Sequence, residues 1–290
     1  DFRAPARTFS FQAEGALSYD ALLFIPGAQP FDLYSKDYEK GLALYTSNVL
    51  IQEKCADLLP DYYNFVRGIV DSPDVSLNIS RETLQQNSQL RAIARRVEKK
   101  IHAELCDMRD NDREAYDTFF DNFGRGLKFG IYNSYGSKAA ELGQLLLFWS
   151  VREGKQVTLD EYAAAMATGQ DKIYYAAGES RERLEKMPVV LSALDHGYDV
   201  LLCTQDVDEF MFKVMPSWHQ DAVAGDSEHK GTDARDLEFA SVSAADLDLA
   251  TDEEREQAEK ASEGNGELLT DLRDALGDKV VEVRVAAGLG

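Results

Sequence analysis

Thr158-Leu159-Asp160-Glu161-Tyr162, then Lys172-Ile173-Tyr174-Tyr175-Ala176, then Ser180-Arg181-Glu182-Arg183-Leu184-Glu185-Lys186, then Asp199-Val200-Leu201-Leu202-Cys203: these runs follow one another without a long interruption. The first reads as a helix to Met166, with Thr158 at its head and Asp160 and Glu161 in the first turn, where the helix dipole favours carboxylates. The second and fourth are short apolar runs of strand length, and the third is a charged helix. Strands alternating with helices of this length imply a three-layer α/β unit, because each helix returns the chain across a sheet face.

Working outward toward the start, Phe9 to Glu14 alternates and Leu17 to Ile25 follows a Gly15 turn, which predicts two paired strands. Pro26-Gly27-Ala28-Gln29-Pro30 ends the second. Leu44 to Ile51 and Phe65 to Val70 are further strand candidates, with a short helical stretch expected near Gln52 to Leu59. Leu90, Ile93, Val97, Ile101 and Leu105 recur at three- and four-residue steps and predict a helix from about Glu82 to Cys106. Arg91, Arg95, Arg96, Lys99 and Lys100 occupy the rest of its circumference. Residues 111–150 read as all-helical, with Tyr116, Phe119, Phe120 and Phe123 on one face and Leu142, Leu145, Leu146 and Trp149 on another. Beyond Cys203, Pro216 to Arg235 reads as a polar loop, Leu237 to Val242 as a strand and Thr251 to Ser262 as a charged helix or linker. Leu268 to Leu276 and Val280 to Val285 open another unit. The chain begins at Asp1 without a methionine and stops soon after that opening, so it reads as part of a longer protein.

Among 290 residues there are 52 Asp and Glu against 31 Lys and Arg, a formal charge of −21. Most of the excess lies between Gln205 and Asp274, where twenty acids face six bases. Nucleic-acid and anionic-membrane binding rest on Lys and Arg, so neither is expected. The longest apolar runs, Leu145 to Trp149 and Val189 to Leu191, are too short to span a bilayer, and no signal peptide heads the chain. Three scattered cysteines, Cys55, Cys106 and Cys203, suit reduced thiols in a cytoplasmic protein.

No phosphate-binding GxxxxGK[ST] loop and no HExxH occurs. Gly124-Arg125-Gly126-Leu127-Lys128-Phe129-Gly130 misses the dinucleotide spacing by one residue and follows no strand. His102 and Cys106 share a helix face, but two ligands do not make a structural zinc site, and His219 and His229 sit in the polar loop without a third ligand. No metal site and no self-contained catalytic set is expected.

One stretch carries chemistry. Val70-Asp71-Ser72-Pro73-Asp74-Val75-Ser76-Leu77-Asn78-Ile79-Ser80-Arg81-Glu82-Thr83-Leu84-Gln85-Gln86-Asn87 leads from a strand through a loop into the long helix. Ser80 suits an N-cap and Glu82 the first turn, but Arg81 opposes the positive end of the dipole. Gln85 shares its face. A cation, an amide and free backbone N–H groups at a helix start favour an anion such as a terminal phosphate. The alternative is a surface arginine paired with a neighbouring acid.

The string Leu77-Asn78-Ile79-Ser80-Arg81-Glu82-Thr83-Leu84-Gln85-Gln86 closely resembles the middle-segment signature of the heat-shock protein 90 chaperones in their bacterial form. Ala21 to Pro26 with Pro30-Phe31-Asp32-Leu33-Tyr34 resembles that family's strand and amphipathic loop. Leu59 to Ser72 matches the approach to the arginine. Gly169 to Tyr175, Gly178-Glu179-Ser180-Arg181, Gly197 to Leu202 and Asp208-Glu209-Phe210 follow in family order, and Leu268 to Val285 resembles the start of the dimerisation domain.

The resemblance implies an α/β (α+β) fold of two α-β-α sandwich units joined by a helical segment, plus a short C-terminal fragment. Its expected parts are a large unit with the arginine loop over 1–110, a helical connector over 111–155 and a small unit over 156–245. A charged linker over 246–266 and the start of the dimerisation domain over 267–290 complete it. It also implies an ATP-dependent chaperone, with ATP and Mg²⁺ held mainly by an N-terminal nucleotide domain outside this chain, so that the segment alone would not hydrolyse ATP. Arg81 would reach the γ-phosphate, with Gln85 and Asn78 holding its loop. Glu209, Phe210 and Lys213 would meet unfolded or partly folded clients, with Phe31 and Leu33 as a second contact expected to be exposed. Phe210 stands where the family often has Trp, and Lys213 where a polar amide is common. The implied partners are the N-terminal domain, client proteins and a second copy of the full-length chain. A gyrase-like transducer segment and an acidic scaffold without any ATP role are the competing readings; the first calls for a basic surface that the charge does not supply.

Overall fold

The computed structural model describes residues 4–15, 17–75, 88–167, 170–222, 234–244, 260, 264–277, 280 and 283. Its strands are β1 (Arg7–Ala13), β2 (Tyr19–Ile25), β3 (Leu42–Thr46), β4 (Val49–Cys55), β5 (Arg67–Asp71), β6 (Phe148–Ser150), β7 (Lys155–Val157), β8 (Lys172–Ala177), β9 (Leu201–Cys203), β10 (Ser217–Gln220) and β11 (Arg235–Ser241). Its helices are α1 (Ser88–Asn111), α2 (Arg113–Asn133), α3 (Ala139–Leu142), α4 (Leu159–Ala165), α5 (Arg181–Leu184), α6 (Pro188–Asp195), α7 (Val207–Val214) and α8 (Gly266–Leu276). The chain divides into two compact units, one made of Asp1–Leu147, Thr158–Asp160 and Asp206–Trp218, the other of the remaining residues.

The first unit is built on a five-stranded sheet in the order β1-β2-β5-β3-β4. β1, β2 and β5 run antiparallel in turn, while β3 lies parallel to β5. β2 shows why the sheet forms: Tyr19, Ala21, Leu23 and Ile25 are buried and the residues between them are exposed, a strict period of two. The expected stripe on α1 is buried in full, from Leu90 to Leu105 and on to Met108. On α2 the aromatic face closes the core, with Phe65 stacked on Phe123 at 4.6 Å and edge-on to Phe119 at 5.4 Å. Each such fully buried ring or aliphatic chain contributes about 1.5–3 kcal/mol relative to exposure.

The second unit holds a six-stranded sheet in the order β10-β11-β8-β9-β6-β7. β8 is parallel to both β9 and β11, and β6 is antiparallel to β9 and β7. Tyr174, Ala176, Leu184, Val190, Ala193, Val200 and Leu202 form its core with Val242. A buried polar knot holds β6 beside β9: Asp199, 3 % exposed, accepts from Ser150 Oγ at 2.6 Å, Arg152 N at 3.0 Å and Val200 N at 2.7 Å. The Tyr162 hydroxyl donates to the Asp199 carbonyl at 2.6 Å and accepts from Tyr174 N at 3.1 Å.

Several elements differ from the sequence expectation. The run from Leu44 to Ile51 is a hairpin, because Ser47 (φ 48°) and Asn48 (φ 65°) take the left-handed conformations of a two-residue turn. β4 then continues through Gln52 to Cys55, and the expected helix near Gln52 to Leu59 shrinks to a 3-10 turn at Ala56–Leu58. Phe148–Ser150 leaves the helical segment as a strand, since the apolar run before it fits either state until Trp149 meets Gln156 and Leu202. α6 was hidden by Pro188, which here occupies the helix start where its missing N–H does no harm. The expected polar loop from Pro216 to Arg235 contains β10 and the first residue of β11. Leu33, expected to be exposed, is buried at 3 %. Its N–H bonds the Pro30 carbonyl at 3.1 Å, a tight turn that leaves Phe31 outside and takes Leu33 into the core.

Candidate functional site

α7 carries the residues singled out near the end of the first unit. Val207, Asp208, Met211 and Phe212 are buried, so the three- and four-residue spacing points Glu209, Phe210 and Lys213 outward. Asp208 sits in the first turn, where the dipole favours it, and pairs with Lys128 of α2 at 2.6 Å. Lys128 Nζ also lies 5.7 Å from the Phe120 ring centre. At the other end of α7, Gly136 has φ 79° and passes so close that a Cβ there would stand 2.2 Å from the Val214 carbonyl oxygen. Both ends of α7 are therefore tied down.

The result is a small aromatic surface. Phe210 is 49 % exposed, and its ring lies 5.8 Å from that of Tyr132, itself 39 % exposed. Lys213 Nζ stands 5.2 Å from the Phe210 ring. Tyr135, with φ 51°, is 88 % exposed on the turn after α2. Met211, Phe212 and Met215 belong to the core instead. Phe31, at the Pro30 to Tyr34 turn, is fully exposed, and Arg125 of α2 stacks over Tyr34 at 5.8 Å and Phe129 at 5.6 Å. Burial raises the Tyr34 phenol above its ordinary value. Tyr132, Arg125 and Lys128 were not singled out from sequence. Only Lys128 left a signal there, a lysine inside the apolar stripe of α2.

Asn78, Arg81 and Gln85 lie outside the described residues. What precedes them is firmly held: Ser72, fully buried, donates from Oγ to the Ser18 carbonyl at 2.7 Å, and its own carbonyl accepts from Thr46 Oγ1 at 2.6 Å. Asp74 accepts the Ser18 N–H at 2.7 Å. β5 thus ends on a buried, hydrogen-bonded anchor.

A cleft beside α1 brings Lys40, Arg91 and Arg95 together, but Asp57 and Glu98 line it too and oppose a polyphosphate. No group of three or more His, Cys, Asp or Glu side chains that could hold a metal ion occurs among the described residues, and no described helix is long and apolar enough to cross a membrane.

The family described as Hsp90 protein matches residues 1–290, and the chain belongs to that family of chaperones. It is 45 % identical over 288 residues to the chaperone protein HtpG of Bacillus subtilis (strain 168), covering 99 % of this chain and 44 % of that protein. To the chaperone protein HtpG of Clostridium acetobutylicum it is 46 % identical over 288 residues, covering 99 % of this chain and 43 % of that one. The fold is similar to the middle domain of a putative heat shock protein of Plasmodium falciparum, with a TM-score of 0.67 and 25 % identity over 83 % of this chain and 89 % of that one. The chain thus has the middle-domain fold of the family and spans less than half the length of its bacterial relatives. Membership sets aside the gyrase-like transducer.

Proposed function

We propose that this chain is the middle segment of an ATP-dependent chaperone and that it holds unfolded or partly folded client protein on the surface around Phe210. One observation carries the reading: α7 buries Asp208 and Met211 yet turns Phe210 outward against the exposed ring of Tyr132. Paired exposed aromatics offer a non-native chain apolar contact area at low entropic cost. Glu209 and Lys213 beside them supply charges of both signs, and Phe31 is a separate exposed aromatic in the same unit. Leu33, being buried, has no direct part. The test is binding of a destabilised, fluorescently labelled client: Phe210→Ala should weaken it about tenfold, the value of one lost anchor of about 1.4 kcal/mol. Unchanged affinity would overturn the assignment.

The ATP-linked half rests on the resemblance and on phosphate chemistry. Arg81 would stabilise the charge on the transferring γ-phosphoryl group of ATP bound, with Mg²⁺, in the protein's own N-terminal nucleotide domain. Gln85 and Asn78 would hold its loop, and the isolated chain would not turn over ATP. The longer parent would act as a cytoplasmic homodimer, with neither nucleic acid nor membrane as a partner. Adding this chain to an isolated N-terminal nucleotide domain should produce hydrolysis that Arg81→Ala removes, by roughly a hundredfold or more, while nucleotide binding persists. Hydrolysis that persists in Arg81→Ala would overturn the role given to that residue, and no gain in hydrolysis on adding the chain would favour a scaffold without an ATP role.

A further inference from the structure

We propose that Tyr135, on the turn that follows α2, is a second aromatic anchor for non-native client, and that it fits the surface around Phe210 to segments carrying two apolar side chains rather than one. This rests on the client-binding reading above and adds to it a residue that sets specificity.

The backbone supplies the first observation. α2 ends in a turn closed by the Tyr135 N–H on the Tyr132 carbonyl and the Gly136 N–H on the Ile131 carbonyl, both at 3.0 Å. A helix that ends this way takes the left-handed region, where glycine and then asparagine are at ease. Two residues occupy it here, Tyr135 at φ 51° and Gly136 at φ 79°. Packing explains the glycine, since a Cβ at 136 would stand 2.2 Å from the Val214 carbonyl oxygen. It does not explain the tyrosine, because a bulky side chain at positive φ strains its own backbone.

The side chain supplies the second. Tyr135 is 88 % exposed, and its side chain makes no hydrogen bond and no ring contact among the described residues. A ring so placed buries almost nothing. Glycine or asparagine would hold the turn better, so folding does not account for a tyrosine at this position.

The surroundings select the occupant. The turn adjoins both partners of the Tyr132–Phe210 pair: Tyr135 lies three residues beyond Tyr132, and Gly136 abuts the end of α7, the helix that carries Phe210. From Asn133 to Ser137 the turn has no Asp, Glu, Lys, Arg or His, so it offers a client apolar area and a phenol hydroxyl, not charge. In an extended segment, side chains two residues apart point to one face. A segment with apolar residues at alternate positions can set one on the Phe210–Tyr132 pair and the next on Tyr135. Two anchors on one chain bind more tightly than either alone, because the second contact is intramolecular.

The experiment uses the 290-residue chain and a fluorescein-labelled Gly-Ser peptide with Phe at two alternate positions, beside one with a single Phe. The parent should bind the two-Phe peptide about tenfold more tightly. Tyr135→Asn and Tyr135→Gly should each reduce that peptide to the affinity of its single-Phe relative. Both variants should also melt about 2–4 °C higher than the parent, because the strain is gone. Tyr135→Phe should keep the preference and melt like the parent. Equal affinity of the parent for the two peptides, or a preference that survives Tyr135→Gly, overturns the anchor. A lower melting temperature in both Tyr135→Asn and Tyr135→Gly makes the residue structural and overturns it too. Phe210→Ala with the same peptides keeps the two readings apart. If that variant weakens binding while Tyr135→Gly does not, the Phe210 surface stands and the Tyr135 anchor falls. If Tyr135→Gly removes the preference but Phe210→Ala changes nothing, the Tyr135 anchor stands and the Phe210 surface falls.

Discussion

Lys128 Nζ stands 2.6 Å from Asp208 Oδ1, with the two side chains only 5 % and 1 % exposed. The pair joins α2 to α7 directly beneath the surface that presents Glu209 and Phe210. A buried ion pair adds little net stability, because two desolvation penalties offset the attraction, but removing one partner strands the other. Lys128→Met should therefore destabilise the first unit by about 3–5 kcal/mol, read from urea unfolding. The double variant Lys128→Met with Asp208→Leu should recover most of that loss. A single variant as stable as the parent would show that water reaches the pair.

Asp199 is the counterpart in the second unit, a buried carboxylate accepting three hydrogen bonds. Asp199→Ala leaves two backbone N–H groups and the Ser150 hydroxyl without their acceptor. At about 1–3 kcal/mol for each unsatisfied buried group, the unit should lose most of its stability. Limited proteolysis should then cut first between Phe148 and Cys203 and leave α1 and α2 intact. Simultaneous loss of both units would argue against that independence.

His102 gives the first unit a pH dependence. It lies 3.4 Å from the Tyr63 hydroxyl and 3.5 Å from Cys106 Sγ, and burial is the main cause of its lowered pKa. Arg109 and Lys138 press the same way, while Glu141 and a hydrogen bond with Gln144 oppose. A histidine held below its unfolded value of 6.5 contributes stability that is present above that value and lost as pH falls through the folded one. The urea midpoint should drop from pH 7 to pH 5, and His102→Gln should flatten that slope.

The β3–β4 turn is open to improvement. Ser47 at φ 48° is in the left-handed region that a serine enters reluctantly. Replacing Ser47-Asn48 by Asn-Gly, the pair best suited to a two-residue hairpin turn, should add about 0.5–1 kcal/mol. A thermal melt should rise by a few degrees, and a fall would mean that the Ser47 side chain has a role elsewhere.

Phe210→Ala should cost little stability, about 1 kcal/mol or less, since half the ring already meets water. A calorimetric scan checks this. A loss of several kcal/mol would place the ring in the core and remove the basis for a binding surface.

Much of this architecture is written locally in the chain. The alternation of Tyr19 to Ile25 and the stripe from Leu90 to Leu105 each satisfy one period along their own length, and the strand at Lys172 is a short apolar run, so no distant partner is needed to read them. The family, too, was legible, because the string around Arg81 and the runs that follow it keep their order. Ser47-Asn48 and Phe148–Ser150 were not, since a turn needs its strand partner and an ambiguous apolar run takes the state of its neighbours.

The surface is where sequence and tertiary structure part. Phe31 and Leu33 are two apolar residues in one short turn, alike in sequence, and one is fully exposed while the other is 3 % exposed. Phe210 and Phe212 divide the same way on α7. Sequence by itself determined which residues could be apolar anchors, because composition and spacing are properties of the chain. Tertiary structure alone decided which of them face water, because burial depends on what packs opposite: the Lys128–Asp208 pair orients α7 and the Pro30 turn sinks Leu33.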